Sequence, residues 1–258
     1  MMIWHACEGK NQIQHLNGTL YRLVENQGQA ATRTYTDSLS EQEQLEELIE
    51  NSKPPIPDAD DSFHYLLTTP FRYPPLQFGS RFGHSDERSI FYGSHLLNTT
   101  LTESAYYRFV FRKSIQLKEP DDTIKSQHTL FSVDYRSDYG IKLHNSPFDH
   151  FKSQLTSPTD YTQTQKVGAA MRNANVEVFE YESARDPDRG ICVGIFSMNA
   201  FVQNTPNSQS QWFCDTNTHS VTFKRADRTG KTSVMPFDNQ MFLINGELPM
   251  PTPTRTVS

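Results

Sequence analysis

Residues 175–198, NVEVFEYESARDPDRGICVGIFSM, carry the strongest fold signal in the chain. Two runs rich in β-branched and aromatic residues flank DPDRG, whose proline, aspartates and glycine favour a reversal of the backbone. The pattern predicts a strand, a turn and a second strand. A β-sheet is therefore part of the fold.

Other runs extend the sheet and add helices. Strands are also predicted at residues 18–25, 89–94, 128–135, 219–225, 231–236 and 240–245. Helices are predicted at residues 40–57, which open with a capping box and end at two prolines, and within residues 158–175.

Three segments depart from these simple patterns. Residues 98–114 begin as a helix, and their aromatic side chains predict a change to an alternating strand near Tyr107 to Phe111. After the apolar run Tyr65 to Leu67, prolines predict an extended path, because proline cannot continue a helix. Residues 247–258 are rich in proline and threonine and are expected to form a flexible tail.

Composition narrows the possible functions. The 258 residues include 17 Phe and 11 Tyr, enough for a substantial core, and a single domain over residues 1–246 is expected. The net charge of -6 argues against nucleic acid, whose phosphates require clustered Lys and Arg. No apolar run approaches the roughly 18–20 residues that span a bilayer, and the N-terminus lacks a signal-peptide pattern. We therefore expect a cytoplasmic protein that binds neither membranes nor nucleic acid.

Neither a disulfide framework nor a metal site is indicated. Cys7, Cys192 and Cys214 are far apart and odd in number, and they are expected to be reduced and structural. The nine histidines include no HExxH motif, so no metal is expected. The chain also lacks GxGxxG, GxxxxGK[ST] and GxSxG motifs, which argues against the common nucleotide-binding and hydrolase folds.

Candidate chemistry is concentrated in RFGHSDERSIFYGSHLLNTTLTESAYYR, residues 81–108. Arg81 offers a planar guanidinium suited to phosphate or ribose oxygens. Glu103 offers a carboxylate at a predicted helix start. A purely structural interpretation remains open for both: Arg81 could pair with an acidic neighbour at the surface, and Glu103 could complete a capping box with Thr100.

The ordered pieces YRLVE, HYLLTTPFRYPPLQFGSRFG, IFYGS, LTESAYYRFVF and FEYESARDPDRGICVGIF resemble the RES domain family over most of residues 1–225. The resemblance implies an α+β single domain similar to ADP-ribosyltransferases, with a mixed, split β core and flanking helices around an NAD cleft. Within it, residues 1–60 would form an N-terminal extension and residues 61–225 the core.

The resemblance also implies an activity and a partner. Members degrade NAD by hydrolysis or phosphorolysis of the nicotinamide–ribose bond, and many are toxins of bacterial toxin–antitoxin pairs. A helix-turn-helix (Xre-type) antitoxin would block the cleft. NAD would be the substrate rather than a cofactor, and inorganic phosphate the co-substrate in the phosphorolytic case.

Four residues of this chain match the family motifs: Arg81, Tyr92, Glu103 and Ser183. The family often has Trp after the arginine, where this chain has Phe82. The resemblance implies catalytic roles for Glu103 and Arg81.

The NAD-binding residues are expected to be Arg81, Tyr92, Ser183 and, as a phosphate contact, Arg22. Tyr92 would stack on nicotinamide or bond the ribose, although it could equally be a core aromatic. Ser183 would donate to the nicotinamide amide or to Glu103, although a serine at a strand end is often only a turn residue.

Two other functions stay open. The chain could transfer ADP-ribose to a macromolecule, or it could be a non-catalytic module that binds a protein. Whether it forms a homo-oligomer is also open.

Overall fold

A computed structural model describes residues 2–26, 62–73, 75, 77–115, 123–226 and 230–250. Among these residues, eight strands form one sheet. The strands are β1 (Gln14–Glu25), β2 (Phe91–Ser94), β3 (Ile124–Lys142), β4 (Val178–Glu182), β5 (Ile191–Ile195), β6 (Ser208–Thr216), β7 (Ser220–Ala226) and β8 (Thr232–Asp238). The helices are α1 (Ile3–Ala6), α2 (Tyr65–Arg72), α3 (Leu97–Ser114), α4 (Lys152–Leu155) and α5 (Thr162–Asn173).

The sheet confirms the expected α+β domain with a mixed β core. Its order is β1-β2-β5-β4-β3-β6-β7-β8, and β1 also pairs with β3. Only β3 and β4 run parallel, and the other neighbours are antiparallel. The extra pairing closes β1, β2, β5, β4 and β3 into a ring, because β1, at one end of the strand order, also pairs with β3 in its middle.

The inside of the ring is filled by one of three apolar clusters. Side chains from all five strands of the ring meet there, including Leu20, Phe91, Val133, Val178 and Val193, and α2 packs against them. Paired residues of neighbouring strands point to the same face of a sheet, so the alternate residues of each strand face outward. The other two clusters cover that outer face, one beneath α1 and α5 and the other beneath α3.

Most predicted strands are confirmed, including the hairpin of β4 and β5, and so is the helix within residues 158–175. The predicted strand at 240–245 is wrong, because a short 3-10 turn, Asn239–Met241, and an isolated bridge occupy that place. Strand β6 was not predicted, although its buried residues alternate with exposed ones. The predicted helix at 40–57 lies outside the described residues.

The predicted change from helix to strand near Tyr107 is also wrong. Helix α3 continues to Ser114, and its buried residues Leu101, Ala105 and Phe109 recur every four positions against the outer face of the sheet. Packing of this apolar stripe outweighs the weak helix propensity of the aromatic residues.

The segment after Tyr65 forms a helix of eight residues rather than an extended path. The Nδ1 atom of His64 accepts a hydrogen bond from the Leu66 N–H at its start. Pro70 is tolerated in the second turn, and the helix ends at Arg72, two residues before Pro74.

The C-terminal boundary of the domain remains a prediction. Two residues of the expected tail nevertheless contact the core: Leu248 packs against the cluster beneath α3, and the Pro249 carbonyl accepts a hydrogen bond from the Tyr106 hydroxyl. No helix in the described ranges is long and apolar enough to cross a bilayer.

Replacement of Gly168 by alanine should destabilise the fold. A Cβ at this position of α5 would lie 1.7 Å from the Phe82 carbonyl oxygen, so the helix would have to move away from the loop that carries Arg81. A clash this short with a backbone atom belongs at the upper end of the about 1–3 kcal/mol cost of overpacking. That cost exceeds the roughly 1 kcal/mol that alanine gains over glycine in a helix. We expect Gly168→Ala to lower the midpoint of urea unfolding, whereas Lys166→Ala, an exposed change on the same helix, should leave it nearly unchanged.

Candidate active site

Helix α3 and the hairpin of β4 and β5 bring Glu103 and Ser183 together. The Ser183 hydroxyl donates to Oε1 of Glu103 at 2.5 Å. Glu103 lies in the second turn of α3 and is half-buried, whereas Ser183 follows β4 and is fully buried. The hydrogen bond proposed from the sequence between these two side chains is present.

The direction of this hydrogen bond is fixed by the turn after β4. The backbone N–H groups of Arg185 and Asp186 donate to the Ser183 oxygen at 3.1 and 2.9 Å. A hydroxyl has one proton and two lone pairs. Because both lone pairs receive N–H groups, the proton points to Glu103, and the carboxylate is the acceptor.

Helix α3 begins too early for Glu103 to be a capping residue. The N-cap is Leu96, so Thr100 already lies within the helix, and its N–H donates to the Leu96 carbonyl. The capping-box interpretation is therefore wrong. Glu103 instead points at the β4–β5 turn.

Arg81 lies close enough to Glu103 for their charges to interact. Its Nη1 donates to the carbonyls of Ser157 at 2.7 Å and Leu155 at 3.4 Å, and its guanidinium lies 4.8 Å from the centre of the Tyr161 ring. Burial alone would lower the pKa of Arg81, but Tyr161 and Glu103 reverse that effect and the pKa is raised. A surface ion pair is excluded, since Arg81 is only 8% exposed.

Tyr92 holds the loop that carries Arg81. Its hydroxyl lies 2.9 Å from the Ser80 Oγ and accepts the Phe82 N–H at 3.2 Å, so it contacts both neighbours of Arg81. Burial raises the pKa of Tyr92 to about 12. The ring packs edge-on against Tyr181. Tyr92 therefore positions Arg81.

Arg22 is not brought to this group. Tyr21 pairs with Ser94 on the outer face, so Arg22, the next residue of β1, points into the ring. Its guanidinium lies 4.9 Å from the Phe91 ring centre, and its Nη1 donates to the Tyr92 carbonyl. Burial lowers the pKa of Arg22 to about 10. Arg22 thus strengthens the contact between β1 and β2, which pair with each other at a single position.

Several residues at the site were not singled out from the sequence. Arg185 places its guanidinium 3.6 Å from the Tyr106 ring centre and donates to the Pro158 carbonyl at 2.6 Å. The Cys192 thiol lies 3.9 Å from Oε1 of Glu103. Burial, and then the charge of Glu103, raise the pKa of this thiol well above its usual value, so it is not a thiolate nucleophile.

All three cysteines are unpaired and buried, as expected. Among the described residues, no group of three or more His, Cys, Asp and Glu side chains could hold a metal ion. The candidate site brings together the Glu103 carboxylate, the Ser183 hydroxyl, the Arg81 and Arg185 guanidinium groups and the surrounding phenols.

The chain matches a known protein family. A family model, the RES domain, matches residues 56–216. The chain belongs to the RES domain family. The RES match includes Arg81, Tyr92, Glu103 and Ser183, but it begins after β1, which nevertheless closes the ring. No curated protein matches the chain.

Removal of the Tyr92 hydroxyl should destabilise the RES domain. In Tyr92→Phe the Phe82 N–H loses its acceptor, and leaving a buried donor unpaired costs about 1–3 kcal/mol. We expect a lower free energy of unfolding in urea at neutral pH. Tyr139→Phe, which changes an exposed tyrosine, should have no such effect.

The same variant should change the alkaline limb of the stability curve. The unfolded phenol ionises near its ordinary pKa of 10.0, whereas the folded one ionises near 12, so Tyr92 stabilises the fold below pH 10 and progressively less above it. The stability of Tyr92→Phe should therefore fall less steeply than that of the parent as pH rises above 10. Equal slopes would show that the folded phenol titrates normally.

Proposed function

We propose that this protein cleaves the nicotinamide–ribose bond of NAD. The observation that carries the proposal is the Glu103 carboxylate, oriented by the Ser183 hydroxyl and grouped with Arg81 on the outer face of the ring. Membership of the RES domain family supports the same assignment.

The bond-breaking step needs one well-placed carboxylate. The C1′–N bond of NAD breaks with its electron pair going to the pyridinium nitrogen, so nicotinamide leaves as a neutral molecule and requires no proton. The ribose becomes oxocarbenium-like and positive, as in glycoside cleavage. In the proposal, Glu103 stabilises this charge and binds a ribose hydroxyl. Ser183 keeps the carboxylate in one orientation.

The electrostatics favour this role. In the described part of the chain, Glu103 forms no ion pair, because Arg81 and Arg185 donate to backbone carbonyls and lie against aromatic rings. Because no cation is permanently paired with this carboxylate, its negative charge can interact with the cation that develops on the ribose. Arg81, close to Glu103, would bind a phosphate group of the dinucleotide or the incoming nucleophile.

Arg22 enters the proposal only as a residue that supports Tyr92 from inside the ring. A direct phosphate contact would require its guanidinium to cross the sheet. The second step of the reaction is attack on C1′ by water, which gives ADP-ribose, or by inorganic phosphate, which gives ADP-ribose-1-phosphate.

The family resemblance supports a biological role as the toxin of a toxin–antitoxin pair in the cytoplasm. NAD depletion would be the toxic event, and a small helix-turn-helix protein that covers the mouth of the site would be the antitoxin. The negative net charge of the chain is compatible with a basic DNA-binding partner.

Replacement of Glu103 should abolish NAD cleavage. Purified full-length protein is incubated with NAD, and free nicotinamide is measured. We expect Glu103→Gln to reduce kcat by about 100-fold or more, which is the size of effect seen when one transition-state contact is removed. Glu8→Gln, an exposed change in the segment between α1 and β1, should retain the parental rate.

Varying the nucleophile separates the remaining possibilities. A rate that rises with inorganic phosphate, with ADP-ribose-1-phosphate as product, would identify phosphorolysis, whereas ADP-ribose at all phosphate concentrations would identify hydrolysis. ADP-ribose attached to an added protein would identify transfer. No nicotinamide release by the parent would refute NAD cleavage and leave the non-catalytic module.

Expression in bacterial cells tests the biological role. We expect the parent to arrest growth and lower intracellular NAD, and Glu103→Gln at equal abundance to do neither. Growth arrest by Glu103→Gln with normal NAD would contradict toxicity through NAD depletion.

A further inference from the structure

Tyr107 lies one helical turn beyond Glu103 on the same face of α3. Four residues advance a helix by about 6 Å and return to nearly the same side. Side chains of a helix lean toward its N-terminus, so the Tyr107 ring lies over the turn that contains Glu103. Tyr107 is nevertheless 45% exposed. An accessible aromatic ring therefore borders the carboxylate.

The Tyr107 hydroxyl has no hydrogen-bond partner in the described ranges, in contrast to the hydroxyl of its neighbour Tyr106, which is bonded to the Pro249 carbonyl. The Tyr107 ring packs edge-on against Tyr106, with ring centres 5.1 Å apart. Burial of the hydroxyl end raises the pKa of Tyr107 well above its usual value, and Tyr161 and Glu103 raise it further. The hydroxyl therefore lies among the groups of the site, while the exposed part of the side chain belongs to the ring. Within the described ranges, no hydrogen bond fixes the Tyr107 side chain as one fixes Tyr106.

We propose that the ring of Tyr107 contacts the pyridinium ring of the bound dinucleotide. The inference rests on the proposed NAD cleavage and adds the residue that recognises the leaving group. If Glu103 faces C1′ of the ribose, the nicotinamide ring attached to that carbon lies within the length of one helical turn from the carboxylate. The Tyr107 ring lies at the same distance from Glu103 along α3. A positively charged ring is attracted to the face of a tyrosine.

The contact favours binding of the substrate over its reaction. The pyridinium loses its charge as the C1′–N bond breaks, so the attraction is strongest before cleavage and declines toward the products. An interaction that stabilises the ground state as much as the transition state, or more, changes KM and leaves kcat unchanged or higher. Tyr107 is thus a binding residue, whereas Glu103 acts in the transition state.

Phe111 provides a matched control. It lies one further turn along α3, is 44% exposed, and is also aromatic. Its ring already has a cationic partner, the Arg108 guanidinium, 5.0 Å from the ring centre. Phe111→Ala therefore removes an equally exposed aromatic ring from the same helix without removing the proposed contact.

The test compares Tyr107→Ala, Tyr107→Phe and Phe111→Ala in steady-state cleavage of NAD. We expect Tyr107→Ala to raise KM for NAD about three- to thirty-fold, the range of a cation–π contact, with kcat within about three-fold of the parent. Tyr107→Phe, which keeps the ring, should stay close to the parent, as should Phe111→Ala. Circular dichroism melts of the three variants check that each is folded.

Reduced NAD distinguishes recognition of the charge from a general loss of affinity. Its dihydronicotinamide ring is uncharged, so as a competitive inhibitor it should lose less affinity in Tyr107→Ala than NAD does. Equal losses for both dinucleotides, a fall in kcat with unchanged KM, or an equal effect of Phe111→Ala would overturn the proposal for Tyr107 alone. No NAD cleavage by the parent would overturn it together with the proposed function.

Discussion

Two hydrogen bonds between side chains fasten α3 to the β4–β5 turn, and the geometry of the site depends on them. Thr99 donates to Asp186 Oδ2 at 2.7 Å, and Ser183 donates to Glu103 Oε1 at 2.5 Å. Thr99 and Glu103 are one turn apart on α3, so both bonds join the same face of the helix to the same turn. Asp186 and Thr99 are almost fully buried, which makes the loss of either partner costly.

Close approach of the turn to α3 requires a glycine at position 190. A Cβ there would lie 1.9 Å from the Thr99 Oγ1, and the Gly190 carbonyl also accepts the Ser183 N–H at 2.9 Å. The small residue at the end of DPDRG thus has a second effect besides chain reversal. It lets the helix come near enough for the carboxylate to meet the hydroxyl.

The sequence predicted all five strands of the ring, because each has a run of β-branched and aromatic residues that can be recognised without knowing which strands are its neighbours. It failed at Tyr107 to Phe111, where the same residue types lie in a helix because the sheet buries one stripe of them. The site was predictable only in part. Glu103 and Ser183 are 80 positions apart, and no local pattern shows that a helix and a turn will bring them together. Family resemblance supplied that pairing.

The lack of long-range information in the sequence also explains why Arg22 was expected at the site. A strand pattern shows that Tyr21 and Arg22 point to opposite faces, but only the pairing of Tyr21 with Ser94 shows which face carries the site. Ring closure by β1 turns one face of five strands into an apolar interior. The partly buried Arg22 points into this interior and supports the contact between β1 and β2, away from a ligand on the outer face. The closed ring therefore supports the outer face from within. Under the proposed function, a ligand would reach Glu103, Arg81 and Tyr107 on that face without opening the core.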